Sequence, residues 1–182
     1  MKRFALLILW SIMACAAVAQ DNPRTLKPDY RKIARFVKSP ASPYFMDSLR
    51  ARFDRCDTTL TVDHLRCLYY GQAASADTLL TLRSAFRRYS LLVARFGVSS
   101  RQAGRAWWQY QMLLNAVWST GDASRRRPLH LLSEAEADFM VEVEEGLAAG
   151  SVGKSVRRRC GRLDIVFSPA SDSRRLCFRI PR

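Results

Sequence analysis

The chain is poor in the residues that build metal centres and hydrolytic sites. Only two histidines, His64 and His130, occur in 182 residues, which argues against a multi-histidine metal centre. No Gly-x-Ser-x-Gly elbow is present, so serines, His130 and acids such as Asp122 or Asp138 form a triad only on paper. The run Gly150-Ser151-Val152-Gly153-Lys154-Ser155 lacks the first glycine of a phosphate loop, because Ala148 stands there, and it follows an acidic helix rather than a strand. No cofactor is expected. Acids are scarce as well: 16 Asp and Glu face 30 Lys and Arg, a formal charge of +14. With 48% hydrophobic residues, the composition excludes a disordered chain, and the length suits one domain.

The N-terminus reads as an export signal. Lys2 and Arg3 precede an apolar run from Phe4 to Val18, and Ala17-Val18-Ala19 supplies the small-x-small cleavage pattern. That run is shorter than the roughly 20 residues a spanning helix needs, so an uncleaved anchor is the weaker reading. Ile12-Met13-Ala14-Cys15 is a poor lipobox, leaving lipidation at Cys15 as a second alternative. Cleavage after Ala19 gives a 163-residue mature chain of charge +12 with no transmembrane span, destined for the periplasm or the exterior. Four cysteines remain. Cys56 and Cys67 close a short loop and are the pair best placed for a disulfide, with buried free thiols the alternative.

Hydrophobic spacing predicts a mainly helical α+β fold. Helices are expected over 28–38, from Ser42 past Phe53, and from Thr61 to Gly71. Leu79, Leu82, Phe86, Tyr89, Val93 and Phe96 then recur at helical steps up to Gly97. A Ser99/Gln102 capping box opens a second stripe through Ala103, Trp107, Tyr110, Leu114 and Val117. The two should form an antiparallel hairpin like one tetratricopeptide-type unit, although no second copy follows. A short strand or extended link over 128–132 comes next, then a helix capped by Ser133 and Glu136 and reaching about Leu147. The period then changes to two. Leu163, Ile165 and Phe167 should pair with Leu176, Phe178 and Ile180 in a C-terminal β-hairpin. Its register would put Cys177 near Val166, which conflicts with a Cys160–Cys177 bridge.

Charge is segregated. Six arginines and no acid lie between residues 79 and 121, and six acids and no base between 133 and 145. The two blocks could dock on each other. Residues 150–182 carry +7, densest at Arg157, Arg158, Arg159 and Arg162. With Arg125–Arg127 they read either as a solvated arginine-rich surface or as candidates for binding an anionic ligand, while the lack of a recognised motif argues against nucleic acid. Trp107 and Tyr110 read as core, and Trp108, one step off the stripe, as the candidate ligand contact. His64 and Cys67 lie three apart on one helix, a weak thiol–imidazole pair. Glu142, Glu144 and Glu145 read as a wet helix face.

Ser42-Pro43-Tyr44-Phe45, Asp57-Thr58-Thr59-Leu60-Thr61 and Leu68-Tyr69-Tyr70-Gly71 together resemble a family of small exported Bacteroidetes proteins known as domain of unknown function 4919. Ser119-Thr120-Gly121-Asp122, His130-Leu131-Leu132-Ser133, Cys160, Leu163 and Leu176-Cys177-Phe178-Arg179-Ile180 resemble its later segments, and the chain departs from it at Ala123, where glycine is common, and at Gly161-Arg162. The resemblance implies export and a common fold, with no activity. The expected function is a non-enzymatic interaction module of the bacterial envelope, whose partner is an envelope protein or an anionic ligand. The alternatives are a hydrolase built on His130 with nearby acids, and a polyanion-binding protein using the basic C-terminal region.

Overall fold

The computed structural model describes residues 29–72, 80–144, 146–147, 152–159, 161–169 and 175–181. The expected leader over 1–19 with Cys15, the start of the glycine-rich run at Gly150-Ser151, Glu145 and Cys160 lie outside them. Five helices come first: α1 (Tyr30–Lys38), α2 (Met46–Asp54), α3 (Val62–Gly71), α4 (Leu82–Phe96) and α5 (Arg101–Trp118). After β1 (Leu129–His130) come α6 (Glu134–Phe139), which runs on into a π-helical turn at Met140–Glu144, and three strands. These are β2 (Val152–Arg159), β3 (Arg162–Pro169) and β4 (Leu176–Pro181). Among the described residues no helix is long and apolar enough to cross a membrane.

The caps follow local chemistry. Asp29 Oδ1 accepts from the amides of Arg31 and Lys32 and caps α1; Pro28, the expected start, lies outside the described residues. Thr61 caps α3, and His64 Nδ1 returns the favour by accepting from the Thr61 amide at 3.1 Å. Ser100, not Ser99, caps α5, its Oγ accepting from the Ala103 amide. Ser42 does not cap α2, which begins after Phe45; its Oγ accepts from the Tyr44 amide in the preceding turn.

Helix α2 ends in a Schellman motif. The Cys56 amide donates to the Phe53 carbonyl and the Asp57 amide to the Arg52 carbonyl, with Cys56 at φ +57°. A left-handed residue with a Cβ costs about 1–2 kcal/mol. Cys56→Gly should therefore raise stability by about 1 kcal/mol, read as a higher urea midpoint. The Cys56–Cys67 disulfide is not formed, and both are free thiols. The Cys56 Sγ lies 4.0 Å from the Arg105 carbonyl on α5, whereas Cys67 is fully buried, where burial pushes its thiol up to about 12.

Helices α4 and α5 lie antiparallel: Phe86 meets Tyr110 at 5.2 Å and Tyr89 meets Trp107 at 4.9 Å between ring centroids. Their far ends stand clear of the core, leaving Phe96 and Val98 exposed. The core lies where α3, packed among α1, α2 and α5, meets the inner face of the sheet through β1 and α6.

That sheet replaces the expected hairpin. It has four strands in the order β1-β4-β3-β2, with β1 parallel to β4 and the other pairs antiparallel. The expected register holds within it: Val166 faces Cys177, and Leu163, Ile165 and Phe167 face Ile180, Phe178 and Leu176. The helix from Ser133 keeps α-helical form only to Phe139. Lys154 on β2, rather than the arginines of α4 and α5, takes Glu134 and Asp138, at 2.8 and 2.7 Å.

Candidate anion-binding face

Strand alternation sorts the C-terminal arginines into two faces. On β3, Leu163, Ile165 and Phe167 point into the core, so Arg162, Asp164, Val166 and Ser168 point out. Register then places Ser155, Arg157 and Arg159 of β2 and Cys177 and Arg179 of β4 on the same outer face. Arg158 sits opposite Leu163 and so leaves on the other face. Of the four C-terminal arginines singled out from sequence, the structure brings Arg157, Arg159 and Arg162 together and turns Arg158 away.

Two further segments complete the face. The Cys177 amide donates to the Ala123 carbonyl at 2.7 Å, which ties the loop after α5 to β4 and brings Arg125 to the rim. Arg175, just before β4, lies on the same side. The result is a groove of about 510 Å³ lined by Arg125, Arg157, Arg159, Arg162, Arg175 and Arg179, with Asp164 as the one acid among the described residues. Asp164 Oδ1 accepts from Arg179 Nε at 2.9 Å. Arg162 and Arg159 approach Oδ2 at 3.4 and 3.8 Å. Cys177 is buried beneath the groove. Burial pushes its thiol up, while Arg125 and Arg175 pull the other way.

One lateral row crosses all four strands: Arg157, Asp164, Arg179 and His130. His130 ends it, with Nδ1 3.1 Å from the Tyr30 hydroxyl. Its carbonyl accepts from the Tyr70 hydroxyl at 2.8 Å, and its amide donates to Thr120 Oγ1 at 3.0 Å. Asp122 meanwhile accepts from the Ser124 amide, and Asp138 from Lys154. The acids proposed as partners for His130 thus serve a turn and an ion pair. Tyr30 is largely buried, which raises its hydroxyl well above the usual range, with Arg179 acting in the lowering direction. Among the described residues no group of three His, Cys, Asp or Glu side chains is placed to hold a metal.

The tryptophans exchange their expected places. Trp108 is half-buried, 5.8 Å from Phe53 of α2 between ring centroids, whereas Trp107 is 42% exposed and leans on Tyr89 and Tyr110. Glu142 is exposed, as a wet helix face requires, but Glu136 of the same acidic block is buried. Sequence reasoning missed Asp164, Arg175 and Arg179 as parts of the face. The signal was there in the period-two pattern of β3 and β4, whose outward positions are the complement of the apolar ones.

The chain matches no protein-family model, no curated protein and no solved structure, so nothing in these comparisons supports a place in domain of unknown function 4919.

Proposed function

We propose that this chain is an exported, non-enzymatic binding module of the bacterial envelope that holds an acidic polysaccharide on the outer face of its sheet. The observation that carries the reading is the groove in which, among the described residues, six guanidinium groups face a single carboxylate. Guanidinium presents a planar fork of donors that suits sulfate and carboxylate oxygens and stays charged at any physiological pH. Ser155 and Ser168, which also line the groove, add hydroxyls that can meet sugar hydroxyls. Among the described residues no tryptophan or tyrosine lines it and its one aromatic, Phe178, is buried, so bases would find no exposed stacking platform, and a saccharide suits the face better than a nucleic acid.

Binding of the mature chain to dextran sulfate, titrated against salt, tests this reading. Affinity should fall steadily as salt rises, because exposed charges are screened. The triple substitution R157Q/R159Q/R162Q removes three exposed charge contacts of about 1 kcal/mol each and should weaken binding about a hundredfold. Equal binding by the triple variant, or equal affinity for single-stranded DNA, would reject a glycan site on this face. Export has its own check: mass spectrometry of the envelope fraction should find a chain beginning at Gln20.

A further inference from the structure

We propose that Asp164 is a resident counter-anion that competes with single oxyanions, so that the groove selects polymers carrying many of them. This rests on the anion-binding reading of the same face. Asp164 sits on the central strand β3, between Arg157 and Arg179 in the lateral row, and its two oxygens are met by Arg179, Arg162 and Arg159. It is one-fifth exposed and tethered by the sheet, so it never leaves the groove. A free sulfate that takes the Arg159, Arg162 and Arg179 guanidinium groups must displace a partner whose effective concentration is that of an intramolecular group, in the millimolar range or above.

A polymer meets a different groove. Its first sulfates can settle on Arg125, Arg175 and Arg157, none of which ion-pairs with Asp164 in the structure. Once held there, the next sulfate along the chain is itself tethered and competes with Asp164 on equal terms. A single negative charge about 6 Å from a bound oxyanion, at a dielectric between protein surface and water, lowers affinity on the order of tenfold. A lone ion has a single contact, which Asp164 weakens by displacement at the paired arginines or by its nearby charge at the others, whereas a long polymer meets that penalty at only one of its several contacts.

Calorimetry with inorganic sulfate and with dextran sulfate tests this on the mature wild-type chain, D164N and V166D. The asparagine keeps the shape and removes the charge. It should tighten inorganic sulfate about tenfold and dextran sulfate less, narrowing the preference for the polymer. V166D leaves Asp164 in place and adds a second carboxylate in the neighbouring row of the same face; it should weaken sulfate by a similar factor. If dextran sulfate binds the wild type while a normally melting D164N binds sulfate no more tightly, Asp164 orients the arginines and the competition is refuted. Should D164N fail to fold, undiminished sulfate binding by V166D refutes it instead. A wild-type chain that ignores dextran sulfate removes the underlying reading as well.

Discussion

Replacing Glu136 by alanine is expected to destabilise the fold by about 4 kcal/mol, lowering Tm by roughly 10 °C. Glu136 is 1% exposed, and its carboxylate is the meeting point of three elements. Oε2 accepts from the Tyr69 hydroxyl of α3 at 2.5 Å and from the Leu132 amide at 3.1 Å. Oε1 accepts at 2.9 Å from the amide of Leu82, the first residue of α4, where the helix dipole favours negative charge. Alanine leaves three buried donors without an acceptor, each costing about 1–3 kcal/mol before the site relaxes. Glutamine keeps one oxygen but turns an N–H toward donors, so Glu136→Gln should cost about 2 kcal/mol. Tyr69→Phe, which removes one donor and leaves the carboxylate two, should cost less than the alanine change.

The same residue gives stability a pH signature. Burial raises the Glu136 carboxyl above its ordinary value, outweighing the three hydrogen bonds that act to lower it. The native state therefore keeps this proton to higher pH than the unfolded chain does. Its contribution is fully present below the ordinary glutamate value of about 4.3 and is lost as pH rises through the native value. Asp57 works in the opposite sense. Hydrogen bonds from Thr59, and then Arg52, hold its carboxyl far below the usual range, so its contribution exists above that range and is lost in acid. Urea midpoints measured against pH should show the Glu136 decline in the wild type and lose it in Glu136→Gln.

What could be read from the residues, and what could not, divides along physical lines. Thr61, Gly97 and the Val166–Cys177 register were legible because caps and two-residue periodicity are local properties. Strand β2 was not. It is an edge strand, exposed from Gly153 to Arg159, so neither of its faces needs to be apolar and the run Arg157-Arg158-Arg159 hides its alternation. Glu136 was hidden among six acids, because nothing local says which one will meet Tyr69 from a helix 67 residues earlier. Periodicity placed Trp107 on the stripe facing α4, and there it is. That part of the pair stands beyond the core, while α2 comes across to cover Trp108. The groove is a product of register, and register between three strands and a loop is a tertiary outcome.

Gly121→Ala should cost 3 kcal/mol or more, although the substitution adds one methyl and needs no unusual backbone angle. Gly121 is buried just past the end of α5, where the chain turns so that the Asp122 amide donates to the Arg127 carbonyl at 3.0 Å. A Cβ at 121 would lie 2.3 Å from that carbonyl oxygen and 2.6 Å from the Pro128 oxygen. Both are main-chain atoms, so no rotamer change relieves the clash and the loop itself must move. The loop carries Ala123, whose carbonyl receives the Cys177 amide, and leads directly into β1. Displacing it therefore strains the sheet edge and shifts Arg125 off the groove. Gly97 provides the control. It is at φ +82° with nothing within 4 Å of a Cβ, so Gly97→Ala pays only for the backbone conformation, about 1 kcal/mol. Denaturation midpoints should separate the two glycines by at least 2 kcal/mol, and Gly121→Ala alone should also weaken dextran sulfate binding. Equal costs at the two positions would mean that the 122–128 segment yields freely, and that the rim of the groove is not held by the turn at Gly121.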